Sequence, residues 1–232
     1  MQHSLGNRST MKYELLDGGI AKISLDNGKA NAVSFEVAHE FMDNLDRAKV
    51  ESKGVLISGH AGIFSAGFDL KVMATGPEAA QKMVSAGMLL LEKIYSYSHP
   101  VVVACEGHAI GMGVFLLLAS DYRIGALGEF VLKLPETAID MPFNPTLRIL
   151  AKTHVDALHH TRAIIQSQGY NPVQAATIGM LDETVEAGQV QEKALEKLAE
   201  LCALPSERYT ENKLFIRAEA IQAIYESLHG SQ

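Results

Sequence analysis

Cysteine is scarce. Cys105 and Cys202 are the only two, far apart and outside any CxxC pair, which argues against a disulfide framework or a thiolate zinc site and fits a reduced, cytoplasmic setting. Long apolar runs are also missing: runs such as Met88–Leu91 and Val114–Ala119 fall far short of the roughly 20 residues of a membrane span, so no membrane partner is expected. Positive charge is in deficit, since 20 Lys plus Arg stand against 27 Asp plus Glu for a net −7. No global field therefore recruits nucleic acid, and any anionic ligand must be held locally. The opening MQHSLGNRST lacks the apolar stretch of a secretory signal and has a single Arg, so residues 1–11 read as a flexible leader.

Several nucleotide and hydrolase signatures are absent too. Gly111-Met112-Gly113 starts like a dinucleotide loop, but the third glycine of GxGxxG falls on Leu116, a bulky residue where close helix packing requires a small one. No Gly-Lys-Ser/Thr triplet completes a Walker loop, and Ser65 follows Ile63 by two positions where the GxSxG elbow needs glycine. His154, His159 and His160 cluster without HExxH spacing or acidic partners, so no metal is expected and the group reads as a solvated helix face.

What is present is ordinary globular composition, 47% apolar and 20% charged, with strand and helix signals in alternation. GIAKISL (19–25) alternates and ends at Asp26-Asn27-Gly28; Ser34 caps a helix carrying Val37, Phe41, Leu45 and Ala48 at helical spacing. GVLIS (54–58), VVVAC (101–105) and YRIGA (122–126) read as strands, the first two buried on both faces. Helices are expected from Pro77 to about Tyr97 and over Gly111–Ser120. Beyond Pro145 the segments 154–168, 172–180, 189–203 and 205–228 read as helical, with one strand signal at Leu181–Val185. The pattern predicts an α/β core that turns helical beyond Pro145.

Two loops put small residues directly after a buried strand and before a helix: Ile63–Lys71 (IFSAGFDLK) and Glu106–Gly113 (EGHAIGMG). Unpaired amides at such helix starts attract negative charge, and two of them converging on one carbonyl would make an oxyanion hole; a plain tight turn is the competing reading. His108 lies in the second loop, either touching a substrate or held by backbone. Glu136, in LKLPETAIDMP (132–142) among Leu134, Ile139, Met141 and Phe143, is either a desolvated base with a raised pKa or an ordinary turn residue after Pro135.

Together these segments resemble the crotonase family, the enoyl-CoA hydratases and isomerases, over about 12–187. The resemblance is carried by Lys29-Ala30-Asn31-Ala32, Phe64-Ser65-Ala66-Gly67-Phe68-Asp69-Leu70, Gly107 through Gly113 with Asp121-Tyr122-Arg123-Ile124, and Leu134-Pro135-Glu136-Thr137. It implies an α/β core at 12–187 built as a spiral of ββα units, a C-terminal helical region at 188–232 that assembles a homotrimer or hexamer, and an acyl-CoA thioester substrate, with coenzyme A as part of the substrate and no separate cofactor. By position it implies the backbone N–H groups of Phe68 and Met112 as the oxyanion hole. It also implies Lys29, Ala30, Ala32, Ala66, Gly67, Leu70, Lys71 and Gly111 along the CoA, Glu136 as the catalytic base, and Phe115 in the acyl pocket.

Hydratases of the family hold a water between two glutamates, and one of those two positions is Phe115 here. The resemblance is therefore nearest to the 3,2-enoyl-CoA isomerases, which keep a single glutamate. Two other readings stay open: a hydratase or other acyl-CoA enzyme using Asp140 or His108 as a second group, and a non-catalytic acyl-CoA binding protein. Leu214, Ala218, Ile221 and Tyr225 repeat at helical spacing, a stripe expected to meet a partner subunit.

Overall fold

The computed structural model describes residues 11–230 of the chain, and its strands come in pairs that feed helices. β1 (Met11–Leu16) and β2 (Ile20–Leu25) precede α1 (Phe35–Glu51), and β3 (Gly54–Ser58) and β4 (Gly62–Ser65) precede α2 (Leu70–Met73) and α3 (Pro77–Tyr95). β5 (Val101–Cys105) and β6 (Gly107–Ile110) precede α4 (Met112–Leu118); β7 (Tyr122–Ala126) and β8 (Leu132–Lys133) lead to a 3₁₀ turn at Glu136–Ile139 and to α5 (Pro145–His154). A 3₁₀ turn at Ala157–His159 and a π-helical turn at Thr161–Ile165 come next, then β9 (Gly169–Tyr170), α6 (Pro172–Thr177) and β10 (Glu183–Val185). The chain closes with α7 (Val190–Cys202), α8 (Ser206–Ile216) and α9 (Ala218–His229). The expected leader lies outside the described residues except for Met11, which opens β1 and is buried.

From β3 onward each strand pair divides between two sheets. One runs β1-β2-β3-β5-β7-β10, parallel from β2 to β10 with β1 antiparallel at its edge; the other runs β4-β6-β8-β9, with β9 antiparallel. The result is the spiral α/β arrangement that the resemblance implied. Alternation along β5 shows why its strand is apolar throughout: Val101, Val103 and Cys105 enter the larger core with Ile23, Val55 and Ile57, while Val102 and Ala104 enter a second core with Leu56 and Ile124. Val190, Ala194 and Leu198 of α7 close that second core. So α7, read from the sequence as part of the C-terminal helical region, covers one face of the main sheet.

The small sheet was not foreseen, because β4 and β6 are four-residue strands in segments read as loops. They approach closely: a Cβ on Gly107 would lie 2.1 Å from the carbonyl carbon of Gly62, so only glycine fits. α5 begins earlier than expected, at Pro145, with Asn144 Oδ1 accepting the Leu147 N–H at 3.0 Å, and the expected helix 154–168 is two irregular turns. The 205–228 segment breaks at Arg217 into α8 and α9. Ile221 and Ile224 of α9 pack on the chain's own core, whereas Leu214, Ala218 and Tyr225 of the expected stripe are exposed.

Two buried ionic groups tie the C-terminal half down. Asp121, before β7, accepts from Lys213 Nζ at 2.7 Å and the Val101 N–H at 2.8 Å and lies 3.0 Å from Arg217 Nη2. Arg123 donates from Nη2 to Asp182 Oδ1 at 2.7 Å and from Nη1 to His154 Nδ1 at 3.1 Å. His154 is thus no solvated residue. Burial, followed by the charges of Arg123 and Arg217, holds its imidazole down at about 3.

The folded His154 value lies below the ordinary 6.5, so the unfolded chain binds the extra proton, and this contribution to stability is whole above that pH and lost as pH falls toward the folded value. Urea denaturation should show stability declining between about pH 6 and pH 4 more shallowly in His154→Gln than in the unaltered protein. Equal slopes would show that His154 does not titrate this way.

Candidate active site

The loops after β4 and β6 meet backbone to backbone. Gly67 has φ +89°, and a Cβ there would stand 2.7 Å from the Ile110 carbonyl oxygen and 3.3 Å from the Met112 nitrogen. The Met112 amide therefore lies beside the residue preceding Phe68. Met112 is the first residue of α4, where amides lack intrahelical partners. Among the described residues neither its N–H nor that of Phe68 donates a hydrogen bond. Phe68 itself is buried with its ring against Gly87, where a Cβ would come within 2.5 Å of it.

Two residues to which the sequence reading gave no role hold this contact. Asn31, fully buried with φ +43°, donates from Nδ2 to the Phe64 carbonyl at 3.2 Å, and its own carbonyl accepts from Ser65 Oγ at 2.7 Å. Ser65 Oγ in turn accepts the Gly67 N–H at 3.2 Å, and the Val33 N–H donates to the Gly67 carbonyl at 2.8 Å. The signal was available: asparagine is among the few non-glycine residues that tolerate a positive φ, and two polar residues stand amid small apolar ones.

Of the residues expected along a coenzyme A, Gly67 and Gly111 are buried within this contact and the others lie on the segments flanking it. The Ala66 N–H donates to the Ala30 carbonyl at 2.8 Å, joining the two segments directly. Lys29, Ala30, Ala66, Leu70 and Lys71 are exposed and Ala32 is half-buried. Among the described residues neither Lys29 nor Lys71 has a carboxylate partner, so both exposed ammonium groups are uncommitted. Asp69 Oδ1 accepts the Lys71 N–H at 2.9 Å and caps α2.

Across from the amides stands Glu136, first residue of its 3₁₀ turn and only 3% exposed. A Cβ on Gly111 would lie 3.3 Å from its Oε1, which places the carboxylate one residue from the Met112 amide. Its Oε2 is buried with no hydrogen-bond partner. Burial pushes the carboxyl up to about 7, opposed only by a backbone hydrogen bond and by no charged neighbour. Phe115, one turn into α4, is fully buried with its ring 5.7 Å from that of Phe143.

The rival second groups stand elsewhere. Asp140 is exposed in a left-handed conformation that ends the turn, and His108 Nδ1 accepts the Val131 N–H at 3.0 Å with its ring edge-on to Phe130. Among the described residues no three His, Cys, Asp or Glu side chains gather into a metal-holding group.

The sequence profile of the enoyl-CoA hydratase/isomerase family matches residues 16–230. The chain belongs to that family. A family protein from Pseudomonas syringae has a solved structure that superposes with a TM-score of 0.91 at 35% identity, covering 94% of this chain and 95% of that one. Among curated relatives, a probable enoyl-CoA hydratase of Bacillus subtilis is 32% identical over 52% of this chain and 48% of its own length. The mitochondrial enoyl-CoA delta isomerase 1 of Rattus norvegicus is 28% identical over 82% and 67%. The chain thus spans about half the length of the Bacillus relative, and hydratase and isomerase names both occur among family members similar to it.

The Gly67 contact yields a direct test of the site's construction. Gly67→Ala puts a side chain on a left-handed backbone and against Ile110 and Met112, whereas Gly28→Ala, also at positive φ (+111°), meets open space. Denaturation should show Gly67→Ala losing more than the roughly 1–3 kcal/mol of conformational strain that both variants share; equal losses would mean that the loops are not in tight contact.

Proposed function

We propose that this family member acts on an acyl-CoA thioester and shifts the double bond of a 3-enoyl-CoA to give trans-2-enoyl-CoA. The observation that carries the reading is the isolation of Glu136: a desolvated carboxylate beside two free amides, with Phe115 where a hydratase of the family would place its second glutamate. In this reading Glu136 removes a proton from C2. The electron pair moves onto the thioester oxygen, the Phe68 and Met112 N–H groups hold the resulting dienolate, and the protonated Glu136 returns the proton at C4. Atoms balance with no water and no cofactor beyond the CoA of the substrate. Lys29 and Lys71 supply charge for its phosphates. A trimeric or hexameric assembly and a cytoplasmic setting belong to the same proposal.

Hydration is the second reading, favoured by the name of the Bacillus relative. It needs a second group to orient water, and neither Asp140 nor His108 shares the Glu136 environment. Supplying a 3-enoyl-CoA and crotonyl-CoA to the purified protein separates the two: isomerisation of the first without consumption of the second is expected, and hydration of crotonyl-CoA would overturn it. Binding of CoA with neither reaction would mark a non-catalytic protein.

Glu136→Gln should bind acyl-CoA nearly unchanged while turnover falls about 10²- to 10⁴-fold. Because the base must be ionised, kcat/KM of the unaltered protein should rise with pH through an apparent pKa of about 7. A profile flat across neutrality, or an active Glu136→Gln beside an inactive Asp140→Asn, would move the base elsewhere.

A further inference from the structure

Apart from a hydrogen bond with its own backbone N–H, the Glu136 carboxylate has no partner that aims it. Oε2 is unpartnered, α4 offers only apolar side chains, and Asp140 and Arg162, the charged groups of the two turns packed together here, are both exposed. Its position is therefore set by the backbone of Glu136–Ile139. Three ties are internal: the Met141 N–H donates to the Glu136 carbonyl at 2.8 Å, the Ile139 N–H to the Pro135 carbonyl at 3.1 Å and the Asp140 N–H to the Thr137 carbonyl at 3.4 Å.

Two further ties come from outside. The Ala138 N–H, an early amide with no partner within so short a turn, donates to Ser167 Oγ at 3.3 Å, and Thr137 Oγ1 donates to the Ile164 carbonyl at 3.2 Å. Both anchors belong to the π-helical turn and its exit, where the Gln166 N–H donates to the Thr161 carbonyl and the Gln168 N–H to the Arg162 carbonyl, each at 2.9 Å. Ser167 stands between them, 5% exposed, with φ +51°. Just beyond it β9 pairs with β8, Lys133 opposite Gly169, so the strand entering Glu136 and the strand leaving Ser167 are bonded to each other. Glycine or asparagine suits a left-handed backbone better than serine; the hydroxyl is what serine contributes there.

We propose that Ser167 is a positioning residue for Glu136, its hydroxyl fixing from the exit of the π-helical turn the 3₁₀ turn that aims the carboxylate. This rests on Glu136 being the base of the reaction proposed above. π-Helical turns commonly sit at functional sites, and here the turn does so one layer behind the reacting group.

Ser167→Gly removes the hydroxyl while relaxing the backbone. Glu136 can be followed by carbon NMR of labelled glutamate side chains without substrate, with Glu136→Gln supplying the assignment. In Ser167→Gly its titration should move down from about 7 toward the ordinary carboxylate range, because a loosened turn admits water. With 3-enoyl-CoA, kcat should fall roughly tenfold while KM changes by less than about twofold, as misplacement of a reacting group affects turnover. Ser167→Asn, which tolerates the same φ and supplies an acceptor, should restore most of both. Should Ser167→Gly fail to fold, Thr137→Val, lacking the second tie, should give the same signature more weakly. An unmoved Glu136 titration with unaltered kcat, or a drop in melting temperature alone, overturns the proposal. If the unaltered protein isomerises nothing, the functional reading fails, while the Glu136 titration still decides whether Ser167 holds the turn.

Discussion

The site depends on one contact, the backbone-to-backbone approach of the loops after β4 and β6. Amides can converge on a single point only if no side chain stands between their strands. At Gly67 a Cβ would meet Ile110 and Met112, and at Gly107 it would meet the backbone of Gly62. The small sheet exists to enforce this spacing: β4 and β6 pair in parallel register, and each passes its last residues straight to a free amide. Asn31 and Ser65 spend their hydrogen bonds on the loop backbones, and the Phe68 and Met112 amides beside them donate none within the described residues.

Tight packing also accounts for the electrostatics of Glu136. Its shift comes from burial and not from a neighbouring acid, which distinguishes it from a pair of carboxylates sharing a site. The apolar enclosure supplied by α4, with Phe115 against Phe143, leaves the carboxylate one unsatisfied oxygen. An unpaired buried acceptor costs stability. The fold offsets that cost elsewhere, in two cores and in the Asp121 and Arg123 ion groups that fasten α5, α8 and α9 to the central strands.

Much of this was legible in sequence where burial is two-sided. GVLIS, VVVAC and YRIGA form strands at the expected residues because a continuous apolar run bounded by turns has few other solutions, and Ser34 caps α1 through the Val37 amide at 3.3 Å as read. β4, β6, β8 and β9 were not legible, since strands of two to four residues have no measurable period. His154 was misread for a related reason. Its partner Arg123, itself paired with Asp182, is distant in sequence, and local polarity says nothing about long-range pairing. Glu136 stood out because an acid among Leu134, Ile139, Met141 and Phe143 is a local anomaly, whereas Ser167 is unremarkable until the π-helical turn brings it to Ala138.

A carboxylate near neutrality is what a one-group proton shuttle requires. In the proposed reaction the same side chain must take a proton from C2 and give it back at C4, so it serves in turn as base and as acid. At the ordinary 4.5 it would be a feeble base toward a carbon acid; raised to about 7, it is a stronger base whose acid form still releases its proton. A second glutamate in place of Phe115 would bring a like charge and water, and water would compete for the intermediate. In the proposed reaction, an apolar residue at Phe115 and a Glu136 raised by burial serve the same condition. The dryness that would make Glu136 a competent base in that reaction would also keep the proton on it until C4 receives it.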